Sequence, residues 1–317
     1  MSPRLFAPAF LIVLAGSSFA AEEFPTFINP ADAGPDYAVQ GEYVGENCGA
    51  QVVALGEGKF RIIGFSGGLP GAVEEFEKKV EVEAAREGDK ITFNQNGWSG
   101  SITAGVLVAK SEDGNTWELK KTLRESPTLG AKPPAGATVL FSGAAAEAWE
   151  GGKVTKDGLL EGGTKTKASF GDCTLHAEFR TPFMPTARRQ ARGNSGIYLQ
   201  DRYEAQVLDS FGTSGESNEA GGIYSKSKPR LNMCFPPLTW QTYDIDFQAA
   251  RFDANGTKTK NAVMTVKLNG VLVQDQVEVD GTTTSAGRNE GPEPGPIQLQ
   301  NHGNPVLYRN IWIVEKK

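Results

Sequence analysis

The sequence predicts a mainly β protein: an antiparallel β-sandwich in the C-terminal half, preceded by a smaller β-rich unit. Three observations carry this reading. The 317 residues include 38 Gly and 18 Pro, the punctuation of a chain with many turns and few long helices. Short runs that alternate apolar and polar residues recur from about residue 37 to the C-terminus, the period-two signature of half-buried strands. An apolar content of 39% beside 22% charged residues is ordinary for a soluble chain with a packed core, and the length allows about two domains.

Residues 1–20 read as a secretory signal. Arg4 precedes the apolar run Leu5–Leu14, and Ser18 and Ala20 flank Phe19 as small residues at a cleavage site. That run is too short to cross a bilayer, and no later segment approaches the roughly 18 apolar residues a span needs. The mature chain is therefore expected to be exported, periplasmic or extracellular, with no membrane span. The net charge of −6 offers no basic surface for nucleic acid, so no such partner is expected. An odd set of cysteines, Cys48, Cys173 and Cys234, leaves at least one unpaired. Cys173 and Cys234 share one half and are the candidates for a single bridge. No C-x-x-C motif suggests a zinc-cysteine site.

Residues 22–35 read as an irregular lead-in to a β-rich domain over 22–126. Gln51–Leu55, Phe60–Phe65, Lys79–Val82, Lys90–Phe93 and Gly105–Ala109 are its predicted strands. The Gly/Pro loop Phe65–Ala72 has the composition for close approach to a ligand. The alternating Glu/Lys run Glu74–Glu83 fits a short helix or an exposed edge strand. Residues 127–137, PTLGAKPPAGA, read as a linker, and 138–317 as the sandwich.

In the second unit, Leu175–Thr181 is a predicted strand with His176, Glu178 and Arg180 on one face. The polar loop Pro182–Arg192 leads into Arg192–Gly212, which holds two strands, Ser195–Leu199 and Tyr203–Leu208, around the tight connection Gln200-Asp201-Arg202. Alternation puts Asn194, Gly196, Tyr198 and Gln200 on one face and Ser195, Ile197 and Leu199 on the other. Glu204 and Gln206 share a face opposite Tyr203, Ala205 and Val207. One face suits a core; the other carries amides, a phenol and a carboxylate, groups that suit a polyhydroxylated ligand, although any polar sheet face would be solvated similarly. Gly212–Pro237 is a long loop placed at the mouth of a site. Trp240–Phe247 is a strand, Ala262–Leu268 and Val271–Gln274 form a hairpin through Asn269-Gly270, and Ile297–Leu299 and Val306–Val314 close the domain.

The chain has two histidines. His302 follows Gln298 and Gln300 on one face at a strand end, where sites are commonly built. Glu178, Glu204 and Asp209 are the candidate carboxylates. The run Glu204-Ala-Gln206-Val-Leu208 lacks the later carboxylates of the Glu-x-Asp-x-Glu strand of many sandwich glucanases, which argues against direct displacement by a carboxylate. Ser195 in Gly-Asn-Ser-Gly faces the apolar side and is set aside as a nucleophile. Tyr198 and Trp240 are aromatic surfaces on which a sugar ring could stack.

Long runs in the second unit carry a family resemblance. They are LHAEFR at 175–180, GNSGIYLQDRYEAQVLDSFG at 193–212, NMCFPPLTWQTYDIDF at 232–247, VKLNGVLV at 266–273, GPIQLQNHGNPV at 295–306 and YRNIWI at 308–313. Over about 140–315 the chain resembles the 3-keto-disaccharide hydrolase domain, also called domain of unknown function 1080. The resemblance implies a concanavalin A-like jelly-roll sandwich and an oligosaccharide or glycoside substrate oxidised at C3 of its glucosyl ring. It implies Glu204 or His302 as the base and Asp209 as the group that tunes it. Arg180 stabilises the enolate, or a divalent metal does so through some of Glu178, Glu204 and His302. Asn194, Gln200, Gln206 and Gln300 hold hydroxyls, with Glu178, Tyr198 and Trp240 completing the substrate set. A non-catalytic glycan-binding module and an ordinary glycoside hydrolase remain the alternatives.

Overall fold

The computed structural model describes residues 24–73, 79–143 and 145–316. The expected signal segment and residues 74–78 of the Glu/Lys run lie outside them. The lead-in is more ordered than its composition suggests: Phe27 bridges Phe183, and a short helix, α1 (Gly34–Val39), follows a 3-10 turn.

Among the described residues, eight strands form a closed antiparallel barrel. They are β1 (Gly41–Gly45), β2 (Cys48–Gly56), β3 (Lys59–Ser66), β4 (Lys79–Glu87), β5 (Lys90–Gln95), β6 (Trp98–Thr103), β7 (Val106–Ser111) and β8 (Thr116–Thr122). Each pairs with the next, and β8 returns to β1 with Tyr43 opposite Lys121. The sequence reading missed β1, β6 and β8, whose Gly, Ser, Thr and Lys content hides their strand character. Closure leaves no exposed edge. Alternate side chains point inward, among them Val52, Phe60, Ile62, Ile91, Ile102 and Leu119, and build the barrel core.

The second unit is a sandwich of two sheets. Its strands are β9 (Thr138–Phe141), β10 (Leu160–Glu161), β11 (Thr164–Lys165), β12 (Cys173–Arg180), β13 (Ser195–Leu199), β14 (Tyr203–Val207), β15 (Gln241–Gln248), β16 (Arg251–Phe252), β17 (Lys258–Lys260), β18 (Ala262–Leu268), β19 (Val271–Val279), β20 (Gln298–Leu299) and β21 (Leu307–Glu315). The larger sheet runs β10-β21-β12-β15-β18-β19, with β9 also on β21; the smaller runs β11-β20-β13-β14. β16 and β17 form a separate hairpin. Asn269 and Gly270 close the β18–β19 hairpin with φ of 53° and 78°, as a type I′ turn requires. Leu175, Ala177, Phe179, Ile245 and Phe247 from the larger sheet meet Ile197, Leu199, Tyr203, Ala205 and Val207 from the smaller in one core.

Barrel and sandwich share a border. Val53, Ile63 and Phe65 point out of the barrel into the sandwich core. Arg61 Nη2 donates to the Gly212 carbonyl at 2.9 Å. Residues 127–137, the segment read as a linker, lie against the outer face of the larger sheet. Gly130 N–H donates to Glu178 at 2.6 Å, and Asn310 and Trp312 both donate to the Ala131 carbonyl. Cys173 and Cys234, the candidates for a bridge, are separate buried thiols, and burial raises both to about 12.

Candidate active site

The polar face of β13 and β14 forms the floor of a small pocket. Tyr198 stands opposite Glu204 in the strand pairing, and Gly196 opposite Gln206. β20 joins on the other side of β13, with Gln298 opposite Tyr198, and the chain continues to Gln300, whose N–H donates to the Gly196 carbonyl at 2.9 Å. Asn194, Tyr198, Glu204, Gln206, Gln300 and His302 line one pocket of about 40 Å³. That volume admits the edge of a sugar ring. A larger, apolar cavity lies inside the barrel, away from these polar groups.

Glu204 is 2% exposed. Its Oε2 accepts from the Tyr198 hydroxyl at 2.8 Å. Burial pushes its pKa up to about 8, against the opposing pull of that hydrogen bond. Gly196 makes this position available: a Cβ there would lie 2.1 Å from Glu204 Oε1. The carboxylate thus rests directly on the β13 backbone.

Amides surround it. Gln300 Nε2 donates to the Tyr198 hydroxyl oxygen at 3.2 Å. Asn194 Nδ2 donates to the Gln190 carbonyl at 2.8 Å, while its Oδ1 is buried without a partner among the described residues. This buried acceptor at the wall of the pocket has its lone pairs free. Gln206 Nε2 donates to Gln190 Oε1 at 3.1 Å, so Gln206 braces the wall. His302 is exposed at the rim. Gln190, Tyr224, Thr284 and Ser285 complete the lining and were not singled out as site residues from the sequence. They come from loops, whose paths hydrophobic patterning does not reveal; the amide and aromatic content of 182–192 and 212–237 was the available signal.

Several expected members lie elsewhere. Gln200 sits at φ 57°, where strand alternation no longer holds, and its amide turns away to the Phe170 carbonyl and to Arg202. Asp209 is buried in an ion pair with Arg192 Nε at 2.7 Å and also accepts from the Phe211 N–H. Burial raises its pKa while Arg192 opposes the shift, and it does not contact Glu204. Glu178 and Arg180 point outward from β12 in the larger sheet, because Leu175, Ala177 and Phe179 take its inward face. Arg180 and Arg309 stack over Trp240, 5.0 and 4.0 Å from the ring centre, so Trp240 is also outside the pocket.

The metal set Glu178, Glu204 and His302 therefore does not converge. The sandwich core separates Glu178 from the other two, and among the described residues no three His, Cys, Asp or Glu side chains group as metal ligands. Glu178 instead accepts from Arg309 Nε at 2.6 Å and from Asn310 at 2.9 Å. Burial disfavours its charge, yet the His176, Asn310, Arg309 and Gly130 donors together lower its pKa to about 2. His176 is buried against Trp312, with Nδ1 2.7 Å from Asp244. Burial disfavours its protonation, but Asp244 and Glu178 carry its pKa above the ordinary value.

Residues 136–314 match the model of the 3-keto-alpha-glucoside-1,2-lyase-like domain. The chain is similar to a solved protein of Parabacteroides distasonis ATCC 8503, described as a "putative glycosyl hydrolase", with 37% identity and a TM-score of 0.53 over 58% of this chain and 85% of that one. A second solved protein of that organism, described in the same words, shares 17% identity with a TM-score of 0.42 over 57% of this chain and 95% of its own. No curated protein matches the chain.

Proposed function

Because the chain belongs to the 3-keto-alpha-glucoside-1,2-lyase-like family, and is in that sense a glycosidase-like, carbohydrate-active protein, we propose that the pocket over β13, β14 and β20 cleaves glycosides whose glucosyl ring carries a ketone at C3. The observation that carries this reading is Glu204: one buried carboxylate, raised to about 8, in a wall of amides.

A C3 ketone acidifies the C2 proton. The ionised Glu204 takes that proton, and the C2–H electrons enter the C2–C3 enolate. The enolate re-forms the ketone as C1=C2 forms and the C1–O bond breaks. The leaving oxygen takes a proton, and His302 at the rim, offered by the sequence as an alternative base, serves here as the donor. The product is the C1=C2 enone and the free aglycone; addition of water across C1=C2 completes a net hydrolysis. A base with a pKa near the working pH suits this step. The Gln300 amide, which spends one N–H on the Tyr198 hydroxyl oxygen, has a second N–H for the enolate-stabilising role that the sequence reading gave to Arg180, while the Tyr198 hydroxyl serves the base itself. Asn194 Oδ1 accepts from a sugar hydroxyl.

Ordinary retaining or inverting hydrolysis needs two carboxyl groups flanking the bond, about 5 to 9.5 Å apart. Glu204 is the one carboxylate among the described lining residues of this pocket, which favours elimination. The test is incubation with a 3-keto-glucoside and with its parent glycoside, each with and without a chelator. Cleavage of the 3-keto compound alone supports the proposal. Cleavage of the parent points to an ordinary hydrolase, and saturable binding without product to a lectin-like module. Loss of activity with the chelator restores a metal to the mechanism. We also propose that residues 1–20 direct export, and N-terminal sequencing of the mature chain checks cleavage after Ala20.

A further inference from the structure

The barrel holds a cavity of about 320 Å³ that the proposed chemistry does not use. Its position follows from the barrel's two ends. At one end α1 acts as a plug: Tyr43 donates to the Val39 carbonyl at 2.7 Å, Gly58 N–H donates to Asp36 at 2.9 Å, and Arg86 pairs with Asp36 at 3.0 Å. Phe60, Ile91 and Ile102 fill the adjoining half of the interior. The other end carries the turns after β1, β3, β5 and β7, and there the inward positions shrink to Cys48, Ala50, Gly64 and Ala109. Small residues in place of branched ones leave space that the chain does not fill. Eight strands enclose an interior just wide enough for side chains or for one small ligand.

The lining specifies the ligand's chemistry. Trp98 and Trp117 approach with ring centres 5.1 Å apart, on either side of β7, and Phe93 lies beside them. Flat aromatic faces favour a flat aromatic guest. Polar groups occur at the rim, from Asn47, Ser66, Asp113 and Asn115. A sugar is disfavoured, because its hydroxyls would enter an apolar interior without partners. An anion is disfavoured as well, because among the described lining residues Asp113 is the charged one and no Lys or Arg is present. The volume falls at the lower end of small-molecule pockets, the scale of one or two fused rings.

We propose that the N-terminal barrel is a second binding site, for a neutral small molecule with one or two aromatic rings and a hydrogen-bond donor at one end. The rings lie against the paired faces of Trp98 and Trp117 and beside Phe93, and the donor meets the rim. The site is independent of the sandwich pocket.

Calorimetric titration of the whole protein with 2-naphthol tests this, with 2-naphthoate and glucose as comparison probes. The expected result is saturable one-to-one binding of 2-naphthol with quenching of tryptophan fluorescence, at least tenfold weaker binding of 2-naphthoate, and none of glucose. Ala109→Phe fills the cavity and Trp117→Leu removes one ring; each should weaken 2-naphthol binding at least tenfold with little change in melting temperature. If the filled variant fails to fold, Trp117→Leu alone decides. Glu204→Gln should leave this binding unchanged. Non-saturable uptake, binding retained in the folded barrel variants, or loss of binding in Glu204→Gln would each overturn the proposal.

Discussion

The Tyr198 hydroxyl lies 2.8 Å from Glu204 Oε2 and 3.0 Å from the Thr284 carbonyl, so one phenolic proton faces two acceptors. When Glu204 is protonated, its own O–H can donate to Tyr198, and the tyrosine proton turns to Thr284. When Glu204 is ionised, the proton turns to the carboxylate and the Thr284 carbonyl gives up its donor. The charge state of the base is thereby linked to the loop that forms one wall of the pocket.

That link has a pH signature. The reaction needs ionised Glu204, whose pKa is about 8, so kcat/KM should rise with pH through about 8 and level off above it. Glu204→Gln should lower turnover of a 3-keto-glucoside by about 10²- to 10⁴-fold. A profile already flat at pH 6 in the native protein would remove Glu204 from the role of base.

Tyr198→Phe deletes the hydrogen bond that opposes the rise in the Glu204 pKa. The rising limb of the profile should move to higher pH, while activity on the plateau falls by less than about tenfold. An unmoved limb would mean that Tyr198 serves only to fill space.

Gly196→Ala puts a methyl group where Glu204 Oε1 now lies. The carboxylate must move, because the backbone of a central strand cannot. Activity should drop by about 10²-fold, the usual cost of a misplaced reacting group, with the melting temperature little changed. Activity kept near the native level would show that the carboxylate position is not critical.

Asp209 and Glu178 should act on stability, in different ways. Asp209→Ala leaves the buried Arg192 unpaired and should cost about 3 to 5 kcal/mol in denaturant unfolding, with the pH profile of kcat/KM unchanged. Glu178, lowered from 4.5 to about 2, contributes stability that is present above pH 4.5 and lost as the pH falls toward 2. His176, raised above 6.5, contributes stability that is present below pH 6.5 and lost as the pH rises through its folded-state value. Glu204 has the opposite sign from Glu178: ionising it in place costs stability between pH 4.5 and about 8. Glu204→Gln should therefore stabilise the protein more at pH 8 than at pH 4, as thermal unfolding at the two pH values would show.

Much of the site was legible because period-two alternation is a strict geometric rule within a strand. It placed Asn194, Tyr198, Glu204 and Gln206 on one face, and the same rule applied to Gln298–His302 brought Gln300 and His302 beside them. It failed where the backbone leaves the extended region, as at Gln200. It also could not say which sheet a strand joins. Glu178 and Arg180 share a polar face of their own, but β12 belongs to the larger sheet, so that face looks away from Glu204. The barrel was legible only as short strands, since closure depends on the pairing of β1 with β8, between residues some 80 positions apart.

The packing of Val53, Ile63 and Phe65 into the sandwich core makes the melting of the two halves a shared event. Separating them would expose that apolar surface on both sides, so one cooperative transition is the expected course of unfolding. Occupancy of the barrel then becomes visible at a distance: a guest held against Trp98 and Trp117 would raise the temperature at which the sandwich itself comes apart, by mass action on a fold it never touches.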